Sequence, residues 1–116
     1  DISVASHCSL LESTVENIKP YLEEFIQDEF EFPIISNVTA NRYFSKYDAI
    51  ELLCKQLVKP VKYKQSILNN SDDIDYFIEF GNSTVLKGLN RKITKTPTLN
   101  ISDMESLEKT LKILND

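Results

Sequence analysis

A short apolar run, a helical period and a second short apolar run follow one another in the C-terminal part of this chain, and a further helical period closes it. Ile74-Asp75-Tyr76-Phe77-Ile78-Glu79-Phe80 is the best strand candidate. Val85 to Ile93 reads as a helix with Ser83 or Thr84 as its cap, and Thr98 to Ile101 reads as a short strand. Ser102 is expected to cap the last helix, with Glu105 at the capping-box position and Leu107, Leu111 and Leu114 on its apolar face. Strands that alternate with helices are joined by crossovers, so the chain is expected to be α/β with short parallel strands.

The preceding residues follow the same alternation. Ile2 to Ala5 is a candidate strand end. A helical period runs through Leu11, Val15, Ile18, Leu22, Phe25 and Ile26, with Ser9 and Glu12 as a capping box. Pro20 lies inside it and is expected to kink or divide the helix near Lys19. Phe32 to Val38 is a continuous apolar run and predicts a buried parallel strand. Asn41 to Tyr47 predicts a polar connection, Tyr47 to Leu57 a helix stopped by Lys59-Pro60, and Val61 to Leu68 a second short helix. Asn69 to Asp73 is the strongest loop signal. No repeat, low-complexity stretch or internal boundary is visible, so residues 1–116 read as a single segment.

Composition excludes several functions. The 13 Lys+Arg and 18 Asp+Glu give a net charge of −5, which argues against nucleic acid as the main partner. No apolar stretch approaches the roughly 18 residues of a membrane span, and none resembles a signal peptide. Cys8 and Cys54 make no disulfide framework and read as reduced thiols, which predicts a cytoplasmic protein. Gly81 and Gly88 are the only glycines. A G-x-S-x-G nucleophile elbow, a dinucleotide fingerprint and a P-loop are all incompatible with that pair. The chain starts at Asp1 and its only methionine is Met104, as expected of a piece processed or excised from a longer polypeptide. No grouping of His, Cys and carboxylates has metal-ligand spacing.

Charge is unevenly distributed. Residues 1–31 hold eight acids and one base, whereas no acid interrupts Lys87, Arg91, Lys92 and Lys95. Such stretches serve either as solvated faces or as rims for a partner of opposite sign. His7 is the only histidine, in Ser6-His7-Cys8-Ser9 between a strand end and a helix start. Functional groups of α/β enzymes gather at the carboxyl ends of strands, and a single His can equally be structural. In Gln56-Leu57-Val58-Lys59-Pro60, the proline has no N–H to give the Gln56 carbonyl. That carbonyl is therefore released from the helical ladder to accept from another donor, an imidazole N–H or a water. Asn37, which follows a strand, either reaches a cleft with its side chain or closes an Asx turn.

Four segments in this order carry a family resemblance: Ser6-His7-Cys8-Ser9-Leu10, Pro33-Ile34-Ile35-Ser36-Asn37-Val38, Lys55-Gln56-Leu57-Val58-Lys59-Pro60-Val61, and Glu79-Phe80-Gly81-Asn82-Ser83-Thr84-Val85-Leu86-Lys87-Gly88-Leu89. The chain resembles the C-terminal part of malonyl-CoA:acyl carrier protein transacylases, which load malonyl groups in bacterial fatty-acid synthesis and are related to polyketide-synthase acyltransferases. The resemblance implies the C-terminal portion of the large, α/β-hydrolase-like subdomain. In the family, a serine in an N-terminal G-H-S-x-G elbow is malonylated, and a histidine serves as general base and proton carrier between thiols. His7 matches that histidine. Gln56 matches the glutamine whose main-chain carbonyl orients it, the carbonyl that the Pro60 argument also picks out.

The resemblance further implies malonyl-CoA and phosphopantetheinylated acyl carrier protein as substrates, with no covalently bound cofactor. The N-terminal remainder of the same enzyme is an implied partner, since the elbow, the oxyanion hole, the arginine that pairs with malonyl and the ferredoxin-like subdomain all lie upstream in the family. The segment alone is therefore expected to be inactive. Lys87, Arg91 and Lys92 are the candidates for docking the acidic carrier protein. The family's G-P-G-K-V-L is here Gly81-Asn82-Ser83-Thr84-Val85-Leu86, so the turn before that helix should differ. Two other readings compete: a free-standing, non-catalytic interaction domain derived from the fold, and a Cys–His hydrolase using Cys8 or Cys54 with His7.

Overall fold

The structure is a computed structural model, and it describes residues 12–116. His7, Cys8, the Ser9 cap and the Ile2–Ala5 strand end lie outside the described residues. The chain forms two compact units, one extending through Ser66 and the other covering Ile67–Asp116. No Gly- or Pro-rich linker separates them, because the division falls inside a helix.

The first unit holds helix α1 (Glu12–Phe25), strands β1 (Glu29–Ile35) and β2 (Arg42–Ser45), helix α2 (Lys46–Gln56) and the start of helix α3 (Tyr63–Asn70). α1 runs unbroken through Pro20, so the expected division near Lys19 does not occur. A proline removes one backbone bond, and the ladder on either side carries the helix past it.

β1 corrects the expectation of a buried parallel strand over Phe32 to Val38. It begins at Glu29 and pairs antiparallel with β2 through a hairpin, with an irregularity between Glu29 and Ile34. Most of it is solvent-facing, and Phe32 is 75% exposed. The polar connection expected over Asn41–Tyr47 is instead strand β2 followed by the start of α2. The Tyr43-Phe44 pair is what favours extended backbone there, since aromatic side chains suit a pleated, half-buried surface. Tyr43 is buried, and its ring meets Phe30 edge-on at 6.2 Å between centroids.

Ser36 closes the hairpin. Its amide donates to the Asn41 carbonyl at 2.9 Å, and its hydroxyl accepts from the Val38 amide at 3.0 Å. Ala40 sits at φ 62°, a left-handed position, and is fully buried. Ser45 caps α2 by accepting from the Asp48 amide at 3.1 Å, and Ala49 and Cys54 are the buried residues of that helix. α1 and β2 both pack against α2.

The second unit holds the rest of α3, strand β3 (Phe77–Phe80), helix α4 (Val85–Ile93), strand β4 (Thr98–Ile101) and helix α5 (Met104–Leu114). β3 and β4 pair in parallel, with Phe77 opposite Thr98 and Phe80 opposite Ile101. This is the α/β arrangement that the alternation of periods predicts. β3 is shorter than the Ile74–Phe80 run, because Ile74 closes a turn with its amide on the Ser71 carbonyl. α4 and α5 pack against β4, and Asn90 of α4 donates to the Thr98 hydroxyl at 2.9 Å, both residues buried.

The last helix is capped one residue later than expected. Asp103, not Ser102, accepts from the Ser106 amide at 2.8 Å, and Ser106 rather than Glu105 completes the capping box. With Asp103 as the cap, position N3 falls on Ser106, whose hydroxyl accepts from the Asp103 amide at 3.0 Å. No helix among the described residues is long and apolar enough to cross a membrane.

Candidate functional site

Gln56 is the last residue of α2 and is half-buried. The helix closes around it in a tightened turn. The Val58 and Lys59 amides converge on the Lys55 carbonyl at 3.1 and 2.9 Å, and the Leu57 amide reaches the Cys54 carbonyl at 3.3 Å. Residue 60 would supply the next donor, the one addressed to Gln56, and it is a proline. The helix thus stops with the Gln56 carbonyl outside its i→i+4 ladder, as the sequence requires. The histidine that this carbonyl is expected to orient, His7, lies outside the described residues.

The chain beyond Pro60 returns to the hairpin, and the Lys62 amide donates to the Asn37 carbonyl at 2.9 Å. Asn37 therefore holds the segment after α2 through its main chain. The expected Asx turn at Asn37 is made instead by the neighbouring Ser36 hydroxyl. Cys54 lies between α1 and α2 at a cavity of about 400 Å³ lined also by Val15, Lys19, Glu23, Tyr47 and Ile50. Burial pushes the Cys54 thiol up, while Lys19 pulls it down and Glu23 pushes it further up. A nucleophilic cysteine needs the opposite environment, so Cys54 is a core thiol.

In the second unit, Lys87 and Arg91, one helical turn apart on α4, line a single cavity of about 280 Å³ together with Lys95. Lys92 is exposed and does not line it. α4 is held at its other end by a residue that sequence reasoning missed. Glu79, only 7% exposed, accepts from the Leu86 and Lys87 amides at 3.1 and 2.9 Å. The Thr84 side chain, at the N-cap, makes no capping bond; the Ser83 hydroxyl accepts from the Val85 amide at 3.1 Å.

Asn100 braces the turn between β3 and α4, donating to the carbonyls of Glu79, Gly81 and Ser83 at 3.2, 3.3 and 2.9 Å. Gly81, at φ 127°, adopts a backbone that an L side chain would strain. A strand-borne carboxylate and an amide from the next strand thus fix this turn. The signals that could have found them are a glutamate inside an apolar strand just ahead of a helix start, and an asparagine in the strand beyond it.

No protein-family model matches the chain. Among curated proteins, the whole chain aligns at 34% identity with a malonyl CoA-acyl carrier protein transacylase of Bacillus subtilis (strain 168). Among solved structures, the transacylase of Helicobacter pylori superposes with a TM-score of 0.95 at 40% identity, covering 100% of this chain. The chain is homologous to the malonyl-CoA:acyl carrier protein transacylases. It spans 38% of the Bacillus protein and 37% of the Helicobacter one. A third transacylase, solved in complex with a type II PKS acyl-carrier protein, matches at a TM-score of 0.87 and 26% identity over 97% of this chain and 37% of its own. Gln56 ends α2, and Lys87, Arg91 and Lys92 all sit on α4.

Proposed function

We propose that the chain is the base-bearing, C-terminal segment of a cytoplasmic enzyme that moves malonyl from malonyl-CoA to the phosphopantetheine thiol of an acyl carrier protein. The observation that carries this reading is the similarity of the whole chain to part of the transacylases, with α2 ending at Gln56, four residues before Pro60. In the first half-reaction, His7 takes the hydroxyl proton of an upstream serine as its oxygen attacks the malonyl thioester carbonyl. The tetrahedral intermediate collapses, the C–S bond breaks, and the imidazolium returns the proton to the departing CoA sulfur.

In the second half-reaction, His7 takes the proton of the carrier thiol. The thiolate attacks the seryl ester, and the serine oxygen leaves with that proton. The Gln56 carbonyl accepts from the other imidazole nitrogen, which fixes tautomer and ring orientation. A neutral acceptor stabilises imidazolium less than a carboxylate does, which suits exchange between thiols of similar leaving ability.

Arg91 and Lys92, exposed in the last turn of α4, together with Lys87 on Arg91's side, dock the acidic carrier protein, and Asn37 supports the cleft. The segment needs the rest of the enzyme. Among the described residues no large side chain is fully buried, while Phe25, Phe32, Tyr47 and Phe80 are each more than 70% exposed. Such surface favours a part of a larger core over a free-standing interaction domain. His7→Ala in the complete enzyme is expected to lower malonyl transfer by roughly 10²- to 10⁴-fold with the fold intact. Near-normal transfer by the folded variant would refute the assignment.

A further inference from the structure

The cavity at the C-terminal end of α4 is lined by three basic residues. Lys87 and Arg91 come from successive turns of α4, and Lys95 comes from the loop that follows. Thr94, Thr96, Pro97 and Thr98 complete the lining, and no acid is among the residues that form it. None of the three cations makes an ion pair within the described residues. A helix C-terminus attracts bases through its dipole, which accounts for Arg91 and Lys92. It does not account for Lys87, two turns back from the end, or for Lys95, beyond it.

The Thr98 hydroxyl accepts from Asn90, so its oxygen is held in place while its proton remains to be donated. The set is suited to a compact group with several acceptor oxygens and more than one negative charge. A phosphate monoester, with about −1.5 to −2 charges near neutral pH, has that form. A lone carboxylate would leave most of the charge unanswered.

We propose that this cavity binds a phosphate monoester, specifically the 3′-phosphate of the coenzyme A thioester. The assignment rests on the transacylase reading for its choice of ligand. It gives the basic residues different roles. Lys95 belongs to the cavity, Lys92 to carrier docking, and Lys87 and Arg91 serve both.

Coenzyme A and 3′-dephospho-coenzyme A differ only in this group, and calorimetric titration of the complete protein with each reads it directly. Coenzyme A is expected to bind roughly 10- to 100-fold more tightly, as for loss of hydrogen bonds to a charged group. Lys95→Gln combined with Lys87→Gln is expected to bring the ratio close to unity, and Lys95→Arg to keep it. Equal binding of the two ligands by the unsubstituted protein overturns the proposal, as does a preference that survives the double substitution. Lys95-dependent binding of inorganic phosphate without that preference assigns the cavity to free phosphate and overturns the coenzyme assignment. A carrier KM that rises in Lys95→Gln while the ligand ratio stays fixed gives the cavity to the carrier protein instead. The titrations need no turnover. A protein that prefers coenzyme A but transfers no malonyl retains this site and loses the transacylase reading, and the converse result does the reverse.

Discussion

Pro60→Ala restores an N–H at the one position that can return the Gln56 carbonyl to the α2 ladder as an i→i+4 bond. That bond would compete with the His7 imidazole proposed to use the carbonyl. The variant is therefore expected to lower kcat for both half-reactions, whereas Gln56→Ala, which keeps its main chain, is expected to have a mild effect. Steady-state kinetics of the two variants in the complete enzyme check this, and the opposite order would place function in the Gln56 side chain. Glu79 poses a different single-residue question. Its carboxylate is buried and answers two amides at the start of α4. Glu79→Ala is expected to destabilise the fold by about 1–3 kcal/mol, as for a buried donor left unsatisfied, read as a shifted denaturation midpoint with an unchanged slope. The end of α2 at Gln56 was legible because proline chemistry is local: a missing N–H four residues on stops the helical ladder there. Glu79 and Asn100 were not, because their partners are set by the parallel register and by the path of the turn, which no short window of sequence contains.

α4 carries the docking prediction at the scale of the element. Arg91→Glu with Lys92→Glu is expected to raise the carrier-protein KM, most strongly at low ionic strength, because steering by exposed charge is screened by salt. Lys92→Glu alone, at a residue outside the cavity, should raise the carrier KM while leaving the KM for malonyl-CoA and the rate of enzyme malonylation nearly unchanged. Damage that ignores salt would assign the two residues to folding. α5 gives a pH prediction. Hydrogen bonds from the Ser106 amide and hydroxyl hold the Asp103 carboxyl below its usual range. A carboxyl lowered in the folded state adds stability that is complete above its unfolded value and fades as pH falls through the folded value. Acid is therefore expected to loosen the start of α5, seen as faster amide exchange at Ser106, and Asp103→Asn should remove that part of the acid sensitivity. The bounds of α4 and β4 follow from the sequence because each has a clear period and a short connection. β1 does not, because Phe32 to Val38 is apolar enough to suggest two covered faces, yet among the described residues β1 pairs only with β2 and leaves Phe32 in solvent. An apolar run reports that something covers it, not which segment does.

For the whole molecule the deciding observation is what its apolar side chains face. The buried apolar residues among those described are Ala40, Tyr43, Ala49, Cys54 and Ile67, most of them small, while phenylalanines on α1, β1 and β3 point outward. Hydrophobic burial contributes about 25 cal/mol per Å² of apolar area removed from water, so exposed rings add almost nothing to the stability of this chain by itself. Among the described residues, two short two-stranded sheets also leave strand edges unpaired. The isolated 116 residues are therefore expected to unfold over a broad transition, to self-associate, and to transfer no malonyl. If the proposed function holds, supplying an upstream transacylase segment in trans or in the same chain is expected to sharpen the transition and protect the exposed rings from solvent quenchers. Sedimentation and thermal melts of the chain alone and of the complete protein make the comparison. A cooperative, monomeric transition for the chain alone would mean that its small core suffices, and would move the balance toward the free-standing interaction domain.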